Sequence, residues 1–199
     1  MGGKGYSFAV LLQYLEKAIT HFPDIRRGGN TVYEVRDAVL SAFSVFFMQC
    51  PSFLAYQRAM EGKKGKNNTA SIFGVHKIPT DNHIRSLLDP IPPDLLFPVF
   101  DRIFTFLQEE GVIQDLLTKE NFLLISLDGT WFFSSEQIAC DSCQTRRHRD
   151  GGTTYYHSAI TPVIVKPESN RVFSLPPEYI TVSDGTTKQD SENKSVNDG

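Results

Sequence analysis

LLISLDGTWFFSS, residues Leu123 to Ser135, is the stretch on which the fold turns. Its apolar and aromatic residues fill a run of strand length between polar segments, which predicts a buried strand. One carboxylate, Asp128, stands in the middle of that run. Taking a carboxylate out of water is expensive unless a cation, a proton or hydrogen-bond donors compensate it. From the residues alone two readings stay open: Asp128 meets a cation, or it caps a neighbouring turn or lies at a solvated sheet edge.

Downstream, TTYYHSAITPVIVKP and RVFSLPPEYITV are rich in β-branched and aromatic residues, and KPESNR separates them as a turn. They predict an antiparallel hairpin behind the Asp128 strand. From Ser183 onward, SDGTTKQDSENKSVNDG is polar and without apolar periodicity, so it is predicted to fray.

Upstream the pattern is helical. Leu11, Leu15, Ala18, Ile19 and Phe22 recur at helix spacing, as do Val35, Val39, Phe43, Phe46 and Phe47. Thr80 or Asp81 caps a short helix, DNHIRSLLD, that stops at Pro90. Proline-rich DPIPPDLL then leads into a helix with Leu96, Val99, Phe100, Ile103, Phe104 and Leu107 on one face, ending near Gly111. The expected organisation is a helical region over 1–120, strands over 121–182 and a polar tail over 183–199.

The chain has 199 residues, 40% of them hydrophobic, enough for a sizeable core. A net charge of −3 gives no overall basic bias toward nucleic acid, so any DNA contact must come from local patches. No apolar run reaches membrane-span length and the N-terminal segment has no cleavage site, which predicts a cytoplasmic protein without a membrane partner. The segment from Arg58 to Leu88 carries six basic residues (Arg58, Lys63, Lys64, Lys66, Lys77, Arg85) against Glu61 and Asp81. It is a candidate phosphate-contacting patch, with a solvated loop as the alternative.

The second constellation is CDSCQTRRHRDGGTTYYH. Cys140, Cys143, His148 and His157 offer two thiolates and two imidazoles, a donor set suited to tetrahedral Zn²⁺, although the spacing of the two histidines is wider than in common zinc motifs. A structural zinc knuckle and a reduced, metal-free pair both fit. Arg146, Arg147 and Arg149 in the same loop are candidate DNA contacts or solvated side chains. Trp131, Phe132 and Phe133 are expected in the core, because successive strand residues alternate faces.

The words LDGTWFFSSEQIACDSC, TTYYHSAITPVIVKP, LPPEYI and DGTTKQDSEN follow in order behind SAFSVFFMQCPSFLAYQRAM and IPTDNHIRSLLDP. Over roughly Val35 to Asn193 this series resembles the RNase H-like catalytic domain of bacterial DDE insertion-sequence transposases. The resemblance implies an α+β chain: an N-terminal helical region, with DNA binding as its role, followed by the first three antiparallel strands of an incomplete RNase H-like fold. It maps the first metal-binding acid onto Asp128 and implies Mg²⁺, DNA strand cleavage and transfer, DNA of the element ends as partner, and a homo-oligomer. Gly129 would leave room for a phosphate backbone. Two further acids are expected on later elements. Asp184, Asp190, Glu192 and Asp198 do not lie in apolar strands, and Asp190 and Glu192 fit a helix start instead. The implied protein is therefore a transposase portion that is catalytically incomplete by itself. The alternatives are a non-catalytic DNA-binding regulator or inhibitor derived from a transposase, and a zinc-stabilised interaction module.

Overall fold

The computed structural model describes residues 7–27, 31–62 and 69–181. The chain is α+β, with helices followed by an antiparallel sheet, and it divides into two compact units, Met1–Ile103 and Phe104–Gly199. The division falls inside a helix, ahead of the residue-120 boundary expected from the onset of strand pattern. A change from helical to strand periodicity marks a change of element type, and it need not coincide with a change of packing unit.

The first unit is built around α2 (Val35–Phe47), which runs among α1 (Phe8–Ile19), α3 (Phe53–Glu61), a helical stretch α4 over 69–73, and α5 (Asp81–Leu88). Three apolar clusters share α2. Val39 and Leu40 pack with Leu12, Leu15, Ile19, Phe73 and Val75, while Ala38 meets Ile84 and Leu87, and Val45 meets Tyr56 and Met60. A helix that buries residues all round belongs at the centre of its unit. Phe46, grouped with the core by its spacing, is instead 74% exposed.

Polar contacts fix the ends of these elements. The Thr80 hydroxyl accepts the His83 amide and caps α5 as its sequence predicts. Arg36 on α2 pairs with Glu16 on α1 and donates to the Gly74 carbonyl at 3.0 Å. Gly74 has φ +62°, and a Cβ there would lie 2.9 Å from an Arg36 nitrogen, so only glycine fits without disturbing that clasp. In the buried ring around Tyr56, Ser44 donates to the phenol oxygen at 2.5 Å, and desolvation pushes the phenol above its ordinary pKa. The proline-rich segment forms a 3-10 turn, Pro93–Leu96, before α6 (Phe97–Glu109). Gly111, with φ +74°, then opens α7 (Val112–Leu116).

The second unit holds the sheet. Its strands are β1 (Leu124–Ser135), β2 (Gln144–Arg147), β3 (Thr153–Val165), β4 (Phe173–Ser174) and β5 (Glu178–Ile180). β3 is the central strand: β1 pairs along one side of it, and β2, β5 and β4 take successive lengths of the other side. Every pairing is antiparallel. The predicted last strand is thus two short ones, because Pro176 and Pro177 interrupt it and remove ladder donors. β2, inside the cysteine loop, has no apolar alternation and was not legible as a strand.

β1 corrects the largest expectation. Rather than a buried run, it is an edge strand whose first nine residues are exposed, with Ile125 and Leu127 each 50% accessible. The core of the sheet lies on β3, where Ile160 and Ile164 are buried, joined by Ile180 of β5. Apolar composition reports what a strand can bury, and pairing decides what it does bury.

The ladder also assigns faces, since residues opposite each other in an antiparallel pair share a face and alternate ones along a strand do too. One face carries Ile125, Leu127 and Trp131 of β1, Tyr156, Ser158, Ile160 and Ile164 of β3, and Arg146 of β2. The other carries Asp128 and Phe133 of β1, His157, Ala159 and Thr161 of β3, Tyr179 of β5 and Arg147 of β2. A bulge between Trp131 and Phe133 inserts Phe132 on β1 while β3 continues unbroken. Among the described residues no helix is long and apolar enough to cross a membrane.

Candidate metal centre

Three of the four zinc-ligand candidates converge. The β1–β2 connection brings Cys140 and Cys143 over β3 at His157, with sulfurs 3.5 Å apart and His157 Nε2 3.2 and 3.4 Å from them. Among the described residues this is the one cluster of three or more side chains able to ligate a metal. Its local fold follows from the C-x-x-C spacing. The Cys143 amide donates to the Cys140 carbonyl at 3.1 Å, closing a tight turn, and the Cys140 amide donates to Cys143 Sγ at 3.2 Å. An N–H aimed at sulfur favours its thiolate, while desolvation, the larger effect here, pushes the Cys143 thiol above its ordinary pKa.

Neighbours hold the cluster in place. Ser135 ends β1 by accepting the amides of Gln137 and Ile138, which starts the connection toward Cys140. On β2, buried Gln144 receives a hydrogen bond from buried Ser158, so the residue after Cys143 is anchored to β3. Phe132 stacks on the His157 ring at 5.8 Å and 16°, and Phe133 lies tilted against it at 5.6 Å. The bulge makes both contacts possible, because it lets two consecutive β1 residues oppose one position of β3.

His148 is not part of the cluster. It lies in the β2–β3 turn, where its Nε2 meets Thr154 Oγ1 at 2.7 Å, and Thr154 is on the opposite face of β3 from His157. The turn itself closes through the His148 amide on the Gly152 carbonyl and the Asp150 carboxylate on the Gly152 amide, with Gly151 at φ +89°. Sequence spacing placed His148 near the cysteines, whereas its hydrogen bond to Thr154 ties it to the opposite face of β3.

The arginines sit on the same hairpin. Arg146, Arg147 and Arg149 are all exposed, but Arg146 and Arg147 point to opposite faces. Arg146 lies over the Trp131 ring at 5.9 Å, and Trp131 stacks on Tyr156 at 4.1 Å. Trp131 and Phe132, expected in the core, are 48% and 56% exposed, so they form surface stacks instead. Tyr156 completes the first stack and was not singled out from sequence, because its place diagonal to Arg146 depends on the register of β2 on β3.

Asp128 lies at the middle of β1, opposite Thr161, whose hydroxyl donates to the Asp128 carbonyl at 3.1 Å. Its carboxylate is exposed, and among the described residues no ion pair or hydrogen bond reaches it. It therefore carries no desolvation problem of the kind its apolar neighbours implied. It shares the sheet face of His157, four residues along β3 and so roughly 13 Å away. As a Mg²⁺ site the surroundings of Asp128 supply one carboxylate, and among the described residues no second acid joins it in a ligating cluster. That donor set does not fit a two-ion centre.

In the first unit, Arg58 on α3, Lys77 ahead of α5, and Arg85 within α5 are exposed. Lys63, Lys64 and Lys66, together with Asp184, Asp190, Glu192 and Asp198 and the polar tail, lie outside the described residues. Compared with known proteins, the chain matches no family model, no curated protein and no solved structure.

Proposed function

We propose that the chain is a portion of a DDE-type DNA transposase that contacts DNA of the element ends and contributes the first metal-binding acid, Asp128. The observation that carries this reading is the placement of Asp128: central in the first strand of an antiparallel sheet, exposed, and without a partner among the described residues. A solvent-facing carboxylate offers a hard oxygen ligand to a divalent ion that can bridge it to a phosphate backbone. Arg147 stands on the same face and can contact the same backbone. One carboxylate does not hold two ions, so these residues by themselves are expected to show no Mg²⁺-dependent strand cleavage.

The test is a DNA titration followed by a metal probe. Duplex binding should weaken steeply as salt rises, and with DNA bound, Mn²⁺ should broaden the amide resonances of β1 around Asp128, an effect that Asp128→Asn removes. No binding at low salt, or broadening centred elsewhere, refutes the proposal. A second reading, a DNA-binding regulator without catalysis, draws on the absence of Asp128 from any group of three or more metal-ligating side chains among the described residues. It is distinguished by salt-dependent DNA binding with no Mn²⁺ effect at Asp128.

A further inference from the structure

We infer that Cys140, Cys143 and His157 bind one Zn²⁺ in a three-ligand site whose fourth position opens to solvent. The first argument is metric. With Zn–S near 2.3 Å and Zn–N near 2.05 Å, tetrahedral coordination requires sulfurs about 3.8 Å apart and sulfur–nitrogen separations of about 3.6 Å. The observed separations are 3.5 Å for the sulfurs and 3.2 and 3.4 Å to the imidazole nitrogen. An outward shift of a few tenths of an ångström brings the three separations to these values.

The second argument is the surrounding structure. The Cys140 amide already points at Cys143 Sγ, and two phenylalanines fix the plane of His157. Ligands whose orientation is set before metal arrives lose little freedom on binding it. Burial is graded across the cluster: Cys143 is buried, His157 half-buried and Cys140 exposed. The ion would thus sit with one side against the sheet and the other toward water.

The third argument concerns the missing corner. His148, the obvious fourth ligand by composition, is committed to Thr154 on the far face of β3. A water or an exchangeable anion therefore completes the tetrahedron, and the ion clips the β1–β2 connection to β3. Soft sulfur donors with one imidazole favour zinc over magnesium or calcium. On binding, each thiol yields its proton to solvent and each sulfur gives an electron pair to the ion, so no oxidant or reductant takes part. The inference goes beyond the transposase reading and rests on none of it, so failure of DNA binding leaves it standing and the reverse holds too.

The experiment is metal analysis of the full chain purified under reducing conditions, followed by replacement with Co²⁺. Zinc should be found at close to one ion per chain, and the cobalt form should show thiolate charge transfer and the intense visible bands of tetrahedral coordination. Cys143→Ser and His157→Ala should each lower the zinc content at least tenfold, whereas His148→Ala should leave it unchanged. Added imidazole should shift the visible bands by entering the fourth position. Because Cys143→Ser could unfold the sheet, amide hydrogen exchange on β3 is measured alongside, and the exposed Cys140→Ser serves as a second ligand variant. Absence of metal uptake by the reduced wild-type chain overturns the site. Loss of metal in His148→Ala, or bands indifferent to imidazole, overturns the open fourth position.

Discussion

Strand parity turns the arginine hairpin into a directional prediction. Arg147 pairs with Thr153, and the alternate positions of β3 from Thr153 to Thr161 lead to Asp128 on the same face. The span is eight residues, about 26 Å, within one turn of duplex DNA. Arg146 faces the other way and is engaged with Trp131. DNA laid across the Asp128 face should therefore touch Arg147 and leave Arg146 alone. Each phosphate contact adds about 0.9 to the slope of log K against log salt, which amounts to about eightfold in affinity between 1 M and 0.1 M salt. Arg147→Ala should reduce the slope by about 0.9 and weaken binding at 0.1 M by about eightfold, whereas Arg146→Ala should alter neither. Fluorescence anisotropy of a labelled duplex over a salt series reads both quantities. A larger loss from Arg146→Ala than from Arg147→Ala would refute the assignment of the DNA-facing side.

Other expectations concern the framework. Gly74→Ala meets both a positive φ and the Arg36 guanidinium at 2.9 Å, so thermal unfolding should show a loss above about 1 kcal/mol; unchanged stability would refute the clasp between α1, α2 and Gly74. Tyr56→Phe removes the hydrogen bond from Ser44 and should cost about 1 kcal/mol in denaturant unfolding, with no cost counting against a structural role for that ring. Asp24, held by Arg26, should titrate at about 2 rather than 3.8 by NMR, and Arg26→Gln should move it back up. Since the folded value is the lower one, its stabilising contribution is present above 3.8 and disappears as pH falls through about 2; an unshifted carboxyl would refute the pairing.

The helices were legible because their signals are local. The apolar spacing of α1 and α2, the Thr80 cap and the proline turn before α6 depend on residues within a few positions of each other. The order of helices before antiparallel strands was legible on the same ground. Burial of β1 was not, because it depends on what lies across the sheet and along the open edge, and composition is silent on both. The site divided in the same way. The C-x-x-C turn is a local feature, and its cysteines meet as the spacing implied. Choosing between His148 and His157 required the register of β2 on β3, a long-range property that sequence spacing does not encode.

That register, together with one irregularity, accounts for the chemistry gathered on a single face. On a regular ladder the aromatic run of β1 would place its residues alternately up and down, with one ring beside His157. The extra residue at Phe132 breaks the alternation, so Phe132 and Phe133 both flank the imidazole, and Phe132 also meets Tyr179 of β5. Trp131, just before the bulge, stays on the opposite face with Tyr156 and Arg146. The bulge therefore separates two environments along one strand. Before it, the Asp128 carboxylate stands exposed to water. After it, the imidazole stands against aromatic rings beside two sulfurs, suited to a softer ion. A single inserted residue, and the period of two that it interrupts, thus decides which rings flank His157 and which stack beside Arg146.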